Sequence, residues 1–190
     1  MPAMRLVVAI TGASGAIYGR RLLEVLHEQG IETHLIISKA GEKVVRLELG
    51  VDPKELKRLA DKVYEPEDLD APISSGSYPV DGMVIAPCSM RTLAAIAHGL
   101  ASNLILRAAD VAIKEHRPLI LVPRETPLSP IHLRNMLVLA ELGVRIIPAC
   151  PAFYHQPKTI SDLVDFVVGR VLDALGIRHE LFRRYGEPSP

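Results

Sequence analysis

Five short aliphatic runs, residues 6–10, 31–37, 83–86, 119–122 and 144–147, alternate along this chain with segments of helical periodicity. A short aliphatic run without polar alternation reads as a strand buried on both faces, because no side of it is written for water. The intervening segments carry helix signals. Apolar residues recur at helical spacing from residue 17 to 26, with Gly30 as a stop; Ser38 stands as a cap before a helix that runs to Gly50. Asp52-Pro53 opens a short helix to about residue 60, and further helices are expected over 92–98, 103–115, 131–142 and 160–175. Strands alternating with helices predict an α/β fold: a three-layer, doubly wound parallel sheet with right-handed crossovers. The polar stretch 65–79 reads as loop. One domain is expected over residues 1–177, with 178–190, ending in Pro188-Ser189-Pro190, as a mobile tail or an intersubunit arm.

Composition removes several classes of function. With 48% apolar residues and a formal net charge of +0, the chain is not expected to be disordered or to bind nucleic acid electrostatically. It has no Trp and only three Phe, so base-stacking platforms are not expected either. No apolar run is long enough to span a membrane, and the start lacks the pattern of a secretion signal. Cys88 and Cys150 have neither a disulfide framework nor a metal-ligand spacing and read as small buried thiols, in keeping with a cytoplasmic location. The seven histidines form no ligand cluster, so no metal site is expected. The acidic stretch Glu65-Pro66-Glu67-Asp68-Leu69-Asp70 reads as solvent-facing.

In open α/β sheets, ligands lie beyond the carboxyl ends of the strands, and three loops there carry chemistry. Thr11-Gly12-Ala13-Ser14-Gly15-Ala16 is a small-residue turn into a helix, where backbone amides favour an anion. Its spacing departs from the dinucleotide fingerprint, and no Gly-Lys-Ser/Thr follows as a triphosphate loop would need. Ser14 is open to two readings, a ligand hydrogen bond or a helix cap. Pro87-Cys88-Ser89-Met90-Arg91-Thr92 offers hydroxyls and a cation beside helix-terminal amides, again as an anion site or as a cap. Pro123-Arg124-Glu125-Thr126-Pro127-Leu128 puts a cation and a carboxylate on a proline-stiffened loop, which could bind an anion and move a proton. Used together, the three loops suit a mononucleotide cofactor. Elsewhere, Arg107, Asp110 and Lys114 read as a solvated helix face with an Asp110–Lys114 pair. Tyr154 and His155 lie in a proline-flanked loop that reads as a lid or a packing corner. Arg170 stands among apolar residues and calls for an anionic partner, an acidic side chain or a phosphate.

These segments resemble the UbiX-type flavin prenyltransferases. The resemblance rests on Thr11-Gly-Ala-Ser-Gly-Ala-Ile-Tyr-Gly19, Ser38-Lys39-Ala40, Pro87-Cys-Ser89, Arg107-Ala-Ala-Asp-Val-Ala-Ile-Lys-Glu115, Arg117-Pro-Leu, Pro123-Arg-Glu-Thr-Pro127, His132-Leu-Arg-Asn-Met136 and Pro151-Ala-Phe-Tyr-His-Gln-Pro157. It implies a flavodoxin-like (Rossmann-like) fold in a homo-oligomer, a dodecamer built from trimers. It implies an enzyme that joins the dimethylallyl group of dimethylallyl monophosphate to reduced FMN, at the central-ring nitrogen and the adjacent ring carbon. The product, prenylated FMN, would serve a UbiD-type decarboxylase. Carried over by residue, Gly12, Ala13, Ser14, Ser38, Ser89, Met90, Arg91, Thr92 and Arg124 would hold FMN. Lys114, Tyr154 and Arg170 would hold the prenyl phosphate, with a subunit interface as one route for Lys114 and Arg124. Ser14, Glu48 and Glu125 match the proton-handling residues. Ionising an allylic phosphate needs cations on the departing oxygens, which Lys114, Arg124 and Arg170 can supply without a metal. Around Glu48 the chain reads Arg46-Leu47-Glu48-Leu49-Gly50, where many relatives have Glu-Thr-Asp. Competing readings are an FMN-dependent decarboxylase of the phosphopantothenoylcysteine type and a non-catalytic FMN-binding subunit. The former's Pro-Ala-Ser-Ala-Asn-Thr-like loop has no clear counterpart here.

Overall fold

The computed structural model describes residues 4–186. Its strands are β1 (Arg5–Ile10), β2 (Glu32–Ile37), β3 (Lys62–Tyr64), β4 (Gly82–Cys88), β5 (Leu119–Pro123) and β6 (Arg145–Ile146). They form one sheet in the order β3-β2-β1-β4-β5-β6, and every pairing is parallel. Helices α1 (Ala16–Glu28), α2 (Lys39–Leu49), α3 (Pro53–Lys57), α4 (Met90–Ala97), α5 (Leu104–Lys114), α6 (Pro130–Glu141) and α7 (Ile160–Leu175) make the crossovers. The doubly wound sheet expected from the alternation is the fold observed.

The strands are aliphatic on both faces because two cores flank them. Leu6, Val8 and Ile10 pack with α1, α2 and α7 on one side. Val7 and Ala9 pack with α4 and α5 on the other. Successive side chains of a strand point to opposite faces, so β1 alone supplies both layers. β3 and the single 3-10 turn Pro72–Ser74 were not expected; both lie in or beside the segment read as loop. β3 is an edge strand of three residues, too short and too exposed to carry an aliphatic signature.

Chain order reverses between β1 and β4, since β2 and β3 lie to one side of β1 and β5 and β6 beyond β4. Such a switch point opens a crevice past the strand ends. The segment after Ile177 lies along α7 of its own chain as far as Tyr185, while the Pro188-Ser189-Pro190 end of the expected tail lies outside the described residues. No helix among the described residues is long and apolar enough to cross a membrane.

Candidate active site

At the switch point Thr11 ties β1 to β4. Its hydroxyl donates to the Pro87 carbonyl at 2.8 Å and accepts the Ser89 N–H at 2.8 Å. This fixes the loop after β4 against the turn after β1. Ser89 then caps α4, accepting the Thr92 N–H at 3.2 Å, and its hydroxyl pairs with that of Thr92 at 3.0 Å. Ser38 caps α2 in the same way, accepting the Gly41 N–H at 3.0 Å. The capping readings of Ser38 and Ser89 therefore hold. They do not compete with ligand binding, because a capping hydroxyl keeps its own proton to donate.

These two helix starts enclose a cavity of about 730 Å³. Gly12, Ser38, Ser89, Arg91 and Thr92, five of the residues assigned to the cofactor, line it, and Ile105 and Leu106 supply apolar wall. Gly12 must lack a side chain here, since a Cβ would stand 2.5 Å from the Ala40 Cβ. Volume, apolar wall and converging hydroxyls suit a ring-bearing mononucleotide. Lining residues given no site role from the sequence include Lys39, Glu67, His98 and Asn103. Lys39 pairs with Glu67 at 3.0 Å, so the acidic stretch read as solvent-facing contributes one carboxylate to the cavity rim. The pairing across a fold boundary left no local signal.

Ser14 does not cap α1. Gly15 occupies that position with φ 116°, and the orphan amides are taken by Glu48 instead. The Glu48 Oε2 accepts the Gly15 N–H at 2.8 Å and the Ala16 N–H at 2.9 Å. The amides expected to receive a ligand anion are thus already held by a carboxylate. Burial alone would push the Glu48 carboxyl up, but the Ser14 hydroxyl, the two amides and the nearby Arg124 charge together hold it below its ordinary value. Stability from a carboxylate with a depressed folded-state pKa is complete above the unfolded value and is lost as pH falls through the folded one. Glu48→Gln is accordingly expected to flatten the fall in melting temperature on acidification below about pH 4.5. Thermal melts across that range check it.

Arg124 and Glu125 follow β5 on an exposed loop at the same sheet edge. They do not pair with each other: Glu125 Oε1 accepts the Thr126 N–H at 3.0 Å, and the Arg124 charge acts on Glu48. Ser14 and Glu48 are thus paired, and the Arg124 charge is felt at Glu48, with Glu125 beside Arg124 in the chain. Of the residues assigned to the cofactor, Ala13, Ser14, Met90 and Arg124 do not line the cavity: Ala13 and Met90 are buried, and Ser14 and Arg124 are exposed outside it.

Lys114, Tyr154 and Arg170 lie apart. Among the described residues, no hydrogen bond or ring contact links them to the cavity-lining residues. Lys114 ends α5, roughly 15 Å along the helix from Asn103 at the cavity. It pairs with Glu115 at 2.6 Å, while Asp110 pairs with Arg107 at 2.6 Å, so the expected Asp110–Lys114 pair is not formed. Arg170 is not among the apolar residues that flank it in sequence. Its side chain is 54% exposed, because neighbours along a helix point 100° apart, and the anionic partner expected for it is an acidic side chain, Asp173 at 2.9 Å. Tyr154 packs edge-on against Phe166 and Tyr185.

Of the two thiols expected to be buried, Cys88 is and Cys150 is not. Burial pushes the Cys88 thiol far up, which makes it inert. A thiol reagent is expected to label Cys150 in the native protein and Cys88 only after unfolding, as counted by mass. Among the described residues no group of three or more His, Cys, Asp or Glu side chains stands ready for a metal.

The sheet, its switch-point cavity and the loop motifs agree with what the chain resembles. Residues 1–172 match the Flavoprotein family model. Flavin prenyltransferase UbiX of Methanocaldococcus jannaschii is 52% identical over 183 residues, which is 96% of this chain and 99% of that one. A dodecameric FMN-dependent UbiX-like decarboxylase from Escherichia coli O157:H7 superposes with a TM-score of 0.95 at 49% identity, covering 97% of this chain and 100% of that one. AnUbiX (PadA1), solved with FMN and dimethylallyl pyrophosphate, gives 0.96 at 47% identity over 98% and 100% of the two chains. With half of its residues shared over nearly the whole length and its switch-point cavity built as above, this chain belongs to the flavoproteins and, among them, to the UbiX-type flavin prenyltransferases.

Proposed function

We propose that this chain is a flavin prenyltransferase that moves the dimethylallyl group of dimethylallyl monophosphate onto reduced FMN. The observation that carries this is the switch-point cavity lined by Gly12, Ser38, Ser89, Arg91 and Thr92, in a chain of that family. Gly12, Ser38, Ser89, Arg91 and Thr92 would hold FMN in the cavity, with Ala13 and Met90 supporting from beneath and Ser14 and Arg124 at its edge. Bound and reduced, FMN would supply the electron-rich nitrogen and carbon that accept the prenyl group.

The remaining steps fall to the chain's own residues. Breaking an allylic C–O bond places charge on the phosphate oxygens, and Arg124, Arg170 and Lys114 would be the cations that receive it. Lys114, at the far end of α5, would serve the site of a neighbouring copy. Exposed Ile131 (65%), Leu133 (52%) and Leu137 (59%) on α6 support an assembly of several copies. Glu48, its carboxyl held below its ordinary value by the Ser14 hydroxyl and the Gly15 and Ala16 amides, would stand as a carboxylate beside Ser14, the proton-handling pair that the family assigns. Glu125 would take up the proton released at the flavin. Cytoplasmic location, a dodecameric assembly and delivery of prenylated FMN to a UbiD-type decarboxylase belong to the same reading.

Anaerobic incubation with reduced FMN and dimethylallyl monophosphate, without added metal, tests it by mass analysis of the released flavin. A flavin heavier by one five-carbon prenyl unit is expected. Unmodified FMN with the monophosphate intact would overturn the reading.

A further inference from the structure

Past Ile177 the chain turns back along α7, and its contacts fall on the two α7-side residues assigned to the prenyl phosphate. Asp173 is the hub. Arg184 binds it with two prongs, Nη1 to Oδ2 at 2.6 Å and Nη2 to Oδ1 at 2.8 Å. His179 Nε2 lies 3.1 Å from the same Oδ1, and Arg170 Nη1 donates to Oδ2 at 2.9 Å. The neighbouring Arg183 donates from Nη2 to the Tyr154 carbonyl at 3.1 Å, and Tyr185 meets the Tyr154 ring edge-on with centroids 5.4 Å apart. Three consecutive residues thus grip Asp173 and Tyr154 at once. The return path exists because residue 169 is glycine: a Cβ there would stand 2.5 Å from the Phe182 ring and 2.6 Å from that of His179.

We propose that the segment 177–185 is a positioning device for the prenyl-phosphate site, with Asp173 and Gly169 as positioning residues that set Arg170 and Tyr154 at a fixed separation. The proposal rests on the assignment of those two residues to the prenyl phosphate. Arg170 is half exposed, and an arginine free to rotate loses rotamer freedom when it grips a ligand. Asp173 holds one Nη and leaves the rest of the guanidinium fork for phosphate oxygens. Its own charge is already met by Arg184, so it orients Arg170 more than it neutralises it. The alternative, Asp173 as a competitor for Arg170, predicts the opposite sign.

The test is steady-state prenylation of reduced FMN by the full chain, with dimethylallyl monophosphate varied. Asp173→Asn is expected to raise KM for the monophosphate about three- to tenfold, what holding one rotamer-rich side chain is worth, with kcat and FMN affinity changed less than about twofold. Asp173→Glu recovers part of the loss. On an Arg170→Ala background, Asp173→Asn adds less than its full penalty, since only the hold on Tyr154 is left to lose. Gly169→Ala, which displaces Phe182 without altering any charge, raises KM in the same direction and carries the test should Asp173→Asn fail to fold. A KM that falls or stays unchanged, or a penalty that multiplies in full on the Arg170→Ala background, overturns the proposal. An unaltered KM in Arg170→Ala alone removes Arg170 from the functional reading itself, and the proposal with it.

Discussion

Glu125→Gln is expected to slow flavin prenylation about a hundredfold or more while FMN affinity stays within about twofold, because a positioned general base is worth about that much and little of it is spent on binding. The residue follows β5 directly, on a loop held between Pro123 and Pro127. One carboxylate oxygen is occupied by the Thr126 N–H, which fixes the side chain's direction and leaves the other to accept a proton. Glutamine keeps that hydrogen bond and the shape but cannot take up a proton. Single-turnover rapid-quench experiments with reduced FMN separate the chemical step from binding. Unchanged turnover would remove Glu125 from proton handling and shift that role to Glu48 or the released phosphate.

Glu48 shows how far such a role can be read from sequence. The amide-rich start of α1 was legible as an anion site, because small residues after a buried strand leave backbone N–H groups unpaired. The anion that fills it is a carboxylate 33 residues further along the chain, and nothing local marks that pairing. The same limit explains the other misses. Ser38 and Ser89 were legible because a cap bonds an amide three residues away. Lys39 with Glu67 and the Asp173 hub depend on which segments meet, or on a returning tail, while Arg107 with Asp110 lies on one helix, where spacing did not decide whether Asp110 pairs backward or forward to Lys114. Arg170 is instructive in another way. Val167, Val168, Val171 and Leu172 around it are buried, yet it faces outward with Asp173, so sequence neighbours misled where helical phase would not have. The inner strands were legible for the opposite reason: two cores bury them, and no other composition satisfies both faces.

Gly19→Ala is expected to be the most damaging single-methyl change in the chain, lowering stability by about 3 kcal/mol and the melting temperature by about 10 °C. The helix α1 crosses the sheet above β1 and β4, and Gly19 is its point of closest approach. An added Cβ would overlap the Ala86 carbonyl oxygen and stand 2.9 Å from both Cγ1 and Cδ1 of Ile10. Ile10 can rotate, but Ala86 is sheet backbone, and the β4 strand cannot give way without shifting Pro87, whose carbonyl holds Thr11. Relief therefore has to come from α1 lifting off the sheet, which carries Gly12 and Ser14 with it and draws the Gly15 and Ala16 amides away from Glu48. FMN affinity is expected to fall along with stability, although Gly19 does not line the cavity. Gly30→Ala is the control: it meets nothing within 4 Å and pays only for its φ of +65°, about 1 kcal/mol, with FMN affinity intact. Calorimetric melts with and without FMN read both quantities on the same samples. Equal losses in the two variants would mean that the close approach of α1 to β4 is not what holds the flavin turn in place.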